Sequence, residues 1–310
     1  MAALEIYLLN VGQADTSIIK TPEGNVIVID AVKPKKVRNV LDEINPGGVV
    51  THLVVTHPHN DHYSGVSSLL NHYDVRRVTL PPFWHEPGSS GYHQIINKLI
   101  ELDIPTRFLA GYERVYPDGG TFPNFEGQLE MEFLGPSNST LEELAENNVL
   151  TPNHLSIITR LRYGKFCTVF AGDAQMENWD RFDQEGMLEE KCDVLRSSHH
   201  GSRRGTQWER VEKLSPSLVV VSSDPESGHH LPDLIGSVIF LEYDKSAGQT
   251  VALTRDTGSI KITVDDPDSN KREIVAYGET AKEDIFPRPE IALPPTDWRA
   301  IVKHRIEHPH

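Results

Sequence analysis

Cysteine is nearly missing from this chain, with only Cys167 and Cys192 among 310 residues. Each lies beside apolar or strand-like sequence, which excludes a disulfide framework and suits a reducing, cytoplasmic setting. Long apolar runs are missing too. No stretch approaches the roughly eighteen apolar residues that cross a bilayer, so no membrane contact is expected. The opening MAALEIYLLNVGQADTS has no basic region and carries Glu5 ahead of its apolar run, unlike a signal peptide. Positive charge is in deficit: 30 Lys and Arg face 45 Asp and Glu, a net of −15. A protein that gripped nucleic acid by its overall field would be basic, so the balance argues against a broad nucleic-acid surface.

What is present is the composition of an ordinary soluble chain, 38% hydrophobic and 24% charged. Its length supports one large domain or two with full cores. EIYLLNVGQADTSIIKTPEGNVIVIDAV reads as a hairpin-like opening hinged at Gly12 and at PEGN. KPKKVRNVLDEI has helical spacing, with Val37, Val40, Leu41 and Ile44 on one face. THLVVTH is a continuous apolar run suited to a buried central strand, and SLVVVSSD is another. STLEELAENN predicts a helix capped by Ser139 or Thr140. PDLIGSVIFLEY fits helix or strand, and TVALTRDTGSIKITVDD predicts a closing hairpin. Strand-rich and mixed segments in both halves imply a layered α/β body with two sheets between helices. Residues 1–283 form this domain in our reading. The proline-rich segment 284–310 lacks a core pattern and is expected to wrap the body, or to meet a protein partner or another copy.

The densest polar cluster follows the buried run. LVVTHPHNDHYSGV places His57, His59, Asp61 and His62 within six positions at a strand end. Four such groups would cost several kcal/mol if buried without partners. A polar surface loop is the plain alternative. Metal binding makes them tolerable there, because nitrogen and oxygen donors at this spacing serve two ions a few ångströms apart.

THPHNDHYSG resembles the defining motif of the metallo-β-lactamase superfamily. NVIVID, FAGDA, SHHGS and SGHH follow in the order that family shows. More narrowly, NVGQADTSIIKTPEGNVIVIDA, NHLSIITRLRYGKFCTVFAGDAQ and DVLRSSHHGSRRGT are similar to the ComEC-type branch, which includes the soluble domain of the competence DNA-uptake protein and stand-alone hydrolases. The resemblance implies a four-layer αβ/βα sandwich with two facing mixed sheets and two divalent ions, zinc or manganese. It implies His57 and His59 on one metal, Asp61 and His62 on the other, and Asp173 as a bridge. His229, favoured over His230, is the expected last ligand, and either His154 or Asn153 fills the position before the next strand. Asp30 is expected to orient the loop histidines, and His199 or His200 to contact the scissile group or protonate the leaving oxygen. The remaining histidines, His52, His72, His85, His93, His304, His308 and His310, are read as packing or solvent residues.

Fold and metals do not choose the ester. Lys33, Lys35, Lys36 and Arg38 after Asp30, and Arg203 and Arg204 after the histidine pair, are expected near the cleft mouth. There they would favour an anionic substrate, nucleic acid or nucleotide. Ser202 would donate to a phosphate oxygen or start the next helix. The expected function is a phosphodiesterase or nuclease using hydroxide activated by the dinuclear centre. A lactonase or glyoxalase-like thioesterase, or a non-catalytic scaffold, are the alternatives. The sequence shows no membrane channel, so DNA transport is not expected of this chain itself.

Overall fold

The computed structural model describes residues 2–82, 90–119, 129–187, 191–224, 228–269, 271–286 and 288–309; His85 and His310 lie outside them. Val26–Ile29 is VIVI, a β-branched run buried on both faces, and it pairs in parallel with His52–Val54. Such strands need cover on each side, and two sheets plus helices supply it.

The first sheet has nine strands among the described residues. In spatial order they are Ile291–Ala292, Glu273–Ala276, Ile260–Val264, Leu4–Leu8, Ser17–Lys20, Val26–Ile29, His52–Val54, Val78–Leu80 and Thr106–Phe108. The second has seven: Thr250–Leu253, Leu218–Val221, Val194–Arg196, Phe166–Phe170, Ile158–Tyr163, Leu129–Leu134 and Tyr112–Val115. Both mix parallel and antiparallel pairs. Between them lies a core that joins Leu4, Ile6, Leu8, Ile27 and Ile29 to Met131, Phe133, Leu161 and Phe170. A second core packs Val37, Leu41 and Ile95 of two helices against Val28 and Leu53. A third packs Trp179, Phe182, Val211 and Phe240 against Val169, Leu195 and Val219. The order is helix, sheet, sheet, helix, the expected four layers.

Four local expectations are corrected. The opening folds as three antiparallel strands rather than a simple hairpin. The cap of Asn138–Glu146 is Ser137, whose hydroxyl accepts from Thr140 N. PDLIGSVIFLEY resolves as the helix Leu234–Asp244, capped by Asp233. TVALTRDTGSIKITVDD is not a hairpin: Thr250–Leu253 belongs to the second sheet and Ile260–Val264 to the first. A helical turn, Thr254–Thr257, and Gly258 at φ +72° carry the chain across.

Beyond Asp284 the segment wraps the body. Ile291–Ala292 adds an edge strand, and Trp298–Glu307 is a helix whose Trp298, Ile301 and Arg305 are buried. Their spacing of three and four residues is a core pattern that sequence reading missed. Trp298 packs on Phe240 with ring centroids 5.1 Å apart and donates from its indole to Val251 O at 2.7 Å.

Candidate metal centre

Strands from both sheets end at one place. Val26–Ile29 delivers Asp30, His52–Val54 delivers the loop carrying His57 to His62, Phe166–Phe170 delivers Asp173, and Val194–Arg196 delivers His199 and His200. Gly172, at φ +53°, permits the turn into Asp173; a Cβ there would stand 3.0 Å from Thr56.

Asp173 is buried and its two oxygens face different neighbours. Oδ1 lies 3.2 Å from His62 Nε2 and 3.6 Å from His200 Nε2. Oδ2 lies 3.6 Å from His57 Nε2 and 3.7 Å from His199 Nε2. His57 Nε2 is 3.1 Å from His59 Nδ1, and Asp61 Oδ2 is 3.5 Å from His200 Nε2. Two donor groups result, Asp61, His62, Asp173 and His200 in one, His57, His59 and Asp173 in the other, with the atoms of each within 4.8 Å of one another.

The ring orientations have identifiable causes. His62 Nδ1 meets Asp30 Oδ2 at 2.6 Å, which turns Nε2 inward. Asp30 is held by Thr56, whose N–H and hydroxyl each donate to it at 2.7 Å. His200 Nδ1 donates to Ser222 O at 2.8 Å. Asp30, His199 and His200 all have positive φ, 56°, 48° and 53°. Non-glycine residues in that region carry local strain that the surrounding structure must offset.

The donor set suits divalent cations. His62 Nε2, His200 Nε2 and Asp173 Oδ1 are buried, and none makes an aligned hydrogen bond despite their proximity. Buried polar atoms left this way want a further partner. Burial pushes the Asp173 carboxyl upward, but the imidazoles of His200, His62, His199 and His57 outweigh it and hold the group far below its usual range. Burial lowers His57 well below the usual imidazole value, which favours the neutral, ligating form. For His200 burial acts downward too, yet Asp173, Asp61 and Asp15 raise it to about 9. A field that draws a proton draws a cation. Asp30→Asn is expected to weaken metal affinity roughly 10- to 100-fold, the usual cost of losing such a support. Titration with a competing chelator would show it, and an affinity within twofold of the parent would refute it.

Not every expected residue joins the cluster. His229 lies exposed in a turn and lines a separate cavity, while His200 occupies the corner foreseen for it. His154 is buried, but its ring is committed: Nδ1 accepts from Thr151 N at 2.9 Å and Nε2 faces Glu177 at 3.3 Å. Asn153 does reach the site, its amide nitrogen 3.3 Å from His199 Nε2. Ser202 shapes a turn, its hydroxyl accepting from Arg204 N. Lys33, Arg203 and Arg204 are exposed. Their presumed companions are spent elsewhere: Lys36 is buried on Glu279, Lys35 pairs with Asp284 and Arg38 meets His72.

Sequence reasoning missed the support beneath the histidines. Buried Arg196 binds Asp15 Oδ1, Thr16 O and Ser17 Oγ, tying the Asp15 loop to the strand before His199. Arg196 and Asp15 are 181 residues apart, so no local pattern joins them.

The sequence matches the Metallo-beta-lactamase superfamily over residues 9–223. The chain belongs to that superfamily. It is weakly homologous to ComE operon protein 3 of Bacillus subtilis (strain 168), 24% identical over 184 residues covering 58% of this chain and 21% of the relative. Recombination protein 2 of Haemophilus influenzae is 26% identical over 229 residues, covering 71% of this chain and 24% of the relative. The chain thus spans a quarter or less of these curated relatives. Among solved structures, CmlA, a diiron beta-hydroxylase from Streptomyces venezuelae, is similar over 81% of this chain and 52% of its own, with TM-score 0.51 and 15% identity. Igni18, a metallo hydrolase from Ignicoccus hospitalis KIN4/I, is similar over 83% and 98%, with TM-score 0.50 and 12% identity. Identities this low speak for the fold alone. The metallo-β-lactamase superfamily consists mainly of metal-dependent hydrolases and typically binds two metal ions, and the His/Asp cluster here is a candidate metal site. No helix among the described residues is long and apolar enough to cross a membrane.

Proposed function

We propose that this chain is a metal-dependent phosphodiesterase or nuclease. The observation that carries the reading is the division of Asp173, one oxygen toward each donor group. His57, His59 and Asp173 Oδ2 would hold one ion, and Asp61, His62, His200 and Asp173 Oδ1 the other, zinc or manganese in both cases. Bound there, the ions would supply Lewis acidity for an ester oxygen and activation of water near neutral pH. Asp30 and Ser222 keep two of the rings aimed inward. His199 is the residue best placed to pass a proton to the leaving oxygen. It stands beside Asn153 with its side chain 19% exposed, whereas His200 is enclosed among the ligands.

Exposed Lys33, Arg203 and Arg204 support an anionic substrate, and a relative named Recombination protein 2 points to nucleic acid. Lys36 does not add to that charge, because buried Glu279 takes it up, while Lys35 and Arg38 have surface partners in Asp284 and His72. The test is a panel of bis-p-nitrophenyl phosphate, linear and circular DNA, RNA and a lactone, with manganese or zinc supplied. Phosphodiester cleavage without lactone cleavage is expected, together with about two ions per chain in protein purified without chelator. Lactone cleavage alone would make the chain a small-ester hydrolase, and an empty, inert protein a scaffold. Full activity in His59→Ala or Asp61→Ala would overturn the assigned centre.

A further inference from the structure

His229 and His230 supply no member of the cluster, yet they line a cavity of about 420 Å³. Arg203, on that cavity's wall, follows His200 by three residues, so their Cα atoms are at most ~11 Å apart. A second segment joins the two places. Gly201, at φ +83°, makes room for Pro232, which a Cβ there would meet at 2.8 Å. Ser222 holds the His200 ring, and its neighbour Ser223 donates to Leu231 O at 2.6 Å. Centre and cavity therefore share a wall.

The lining is cationic in an acidic chain. Arg203 and Arg305 stand in the lining with one carboxylate, Asp233, among the described residues. That carboxylate is turned to backbone amides, with Oδ1 accepting from Gly236 N at 2.9 Å and Oδ2 from Arg203 N at 2.8 Å. Arg305 is buried and held by Pro232 O at 2.8 Å. Leu234 and Ile235, 39% and 50% exposed, add an apolar shelf. Guanidinium beside such a shelf matches a nucleotide, which presents an anionic phosphate and a flat, poorly hydrated base. The volume is within the range of small-ligand sites.

We infer that this cavity seats the nucleotide adjoining the scissile phosphodiester, its phosphate at Arg203 and its base on Leu234 and Ile235. The substrate is then a nucleic-acid strand and not a compact monoester or diester. This rests on the phosphodiesterase reading above, and two measurements separate them.

In the first, the manganese-loaded protein hydrolyses the p-nitrophenyl ester of thymidylate and the same ester extended by one or two thymidylates. The extended substrates should be preferred about tenfold or more in kcat/KM, since a charge-assisted contact between Arg203 and the added phosphate contributes on that scale. Arg203→Glu and His229→Glu, both at exposed positions, should bring the ratio toward one with the melting temperature held. No preference in the parent, or one that both variants keep, overturns the subsite. In the second, fluorescence anisotropy follows a labelled oligothymidylate. At least tenfold weaker binding in Arg203→Glu supports the subsite even where no phosphodiester is cut, an outcome that sinks only the catalytic reading. Binding unchanged by the substitution sinks the subsite itself.

Discussion

Asp173→Ala should lower phosphodiester turnover by roughly a thousandfold or more and cut the metal content from about two ions per chain to one or none. The carboxylate is buried, and each donor group depends on one of its oxygens. In the proposed centre, losing it would remove a shared ligand and the charge that offsets two dications. Metal ions contribute several kcal/mol to a hydrolytic transition state, and each 1.36 kcal/mol is a factor of ten in rate. Initial rates with saturating manganese, paired with metal analysis and a circular dichroism check of folding, give the answer. Activity above a tenth of the parent would mean that Asp173 does not bridge.

Much of that side-chain cluster was legible because its members sit in short, dense motifs at strand ends. His57 to His62 betray themselves by spacing, and Asp173 by the strand-turn FAGD. The late histidines were harder. SHHG and SGHH look alike as strings, and which one turns inward is decided by Ser222 O at 2.8 Å from His200 and by the turn that leaves His229 in solvent. His154 stands outside the cluster for a similar reason: its nitrogens close a local loop on Thr151 and Glu177. Asp15 and Arg196 could not be paired at all, since their bond spans most of the chain. In the fold, strands with continuous apolar runs were readable, whereas the passage of Thr250–Val264 from one sheet to the other was not. Two strands separated by a few residues imitate a hairpin unless one sees the buried Glu279 that receives Ser259 N at the crossing.

The same Glu279 governs the second large effect. Lys36→Met should destabilise the protein by about 3–5 kcal/mol, because it strands a carboxylate in the interior. Lys36 and Glu279 are 3% and 1% exposed, and the ammonium is 2.9 Å from the carboxylate and 2.8 Å from Asn10 O. Adding Glu279→Gln to Lys36→Met should recover more than half of the loss, since a neutral amide is far cheaper to bury than an unpaired charge. Urea unfolding of the parent, Lys36→Met and the double variant measures both effects. A change under about 0.5 kcal/mol in Lys36→Met would show that the lysine is not held as described and would return it to the pool of surface cations.

All proposed ligands lie past the carboxyl ends of their strands, which leaves the other pole of the sandwich without any of them. The turn before Val26–Ile29 exposes Glu23 beside Gly24, whose φ of +83° would strain any side chain placed there, so Glu23 is the position open to substitution. Dyes, affinity handles or surface linkers belong at that turn, where an immobilised molecule would present its reactive mouth outward to whatever flows past.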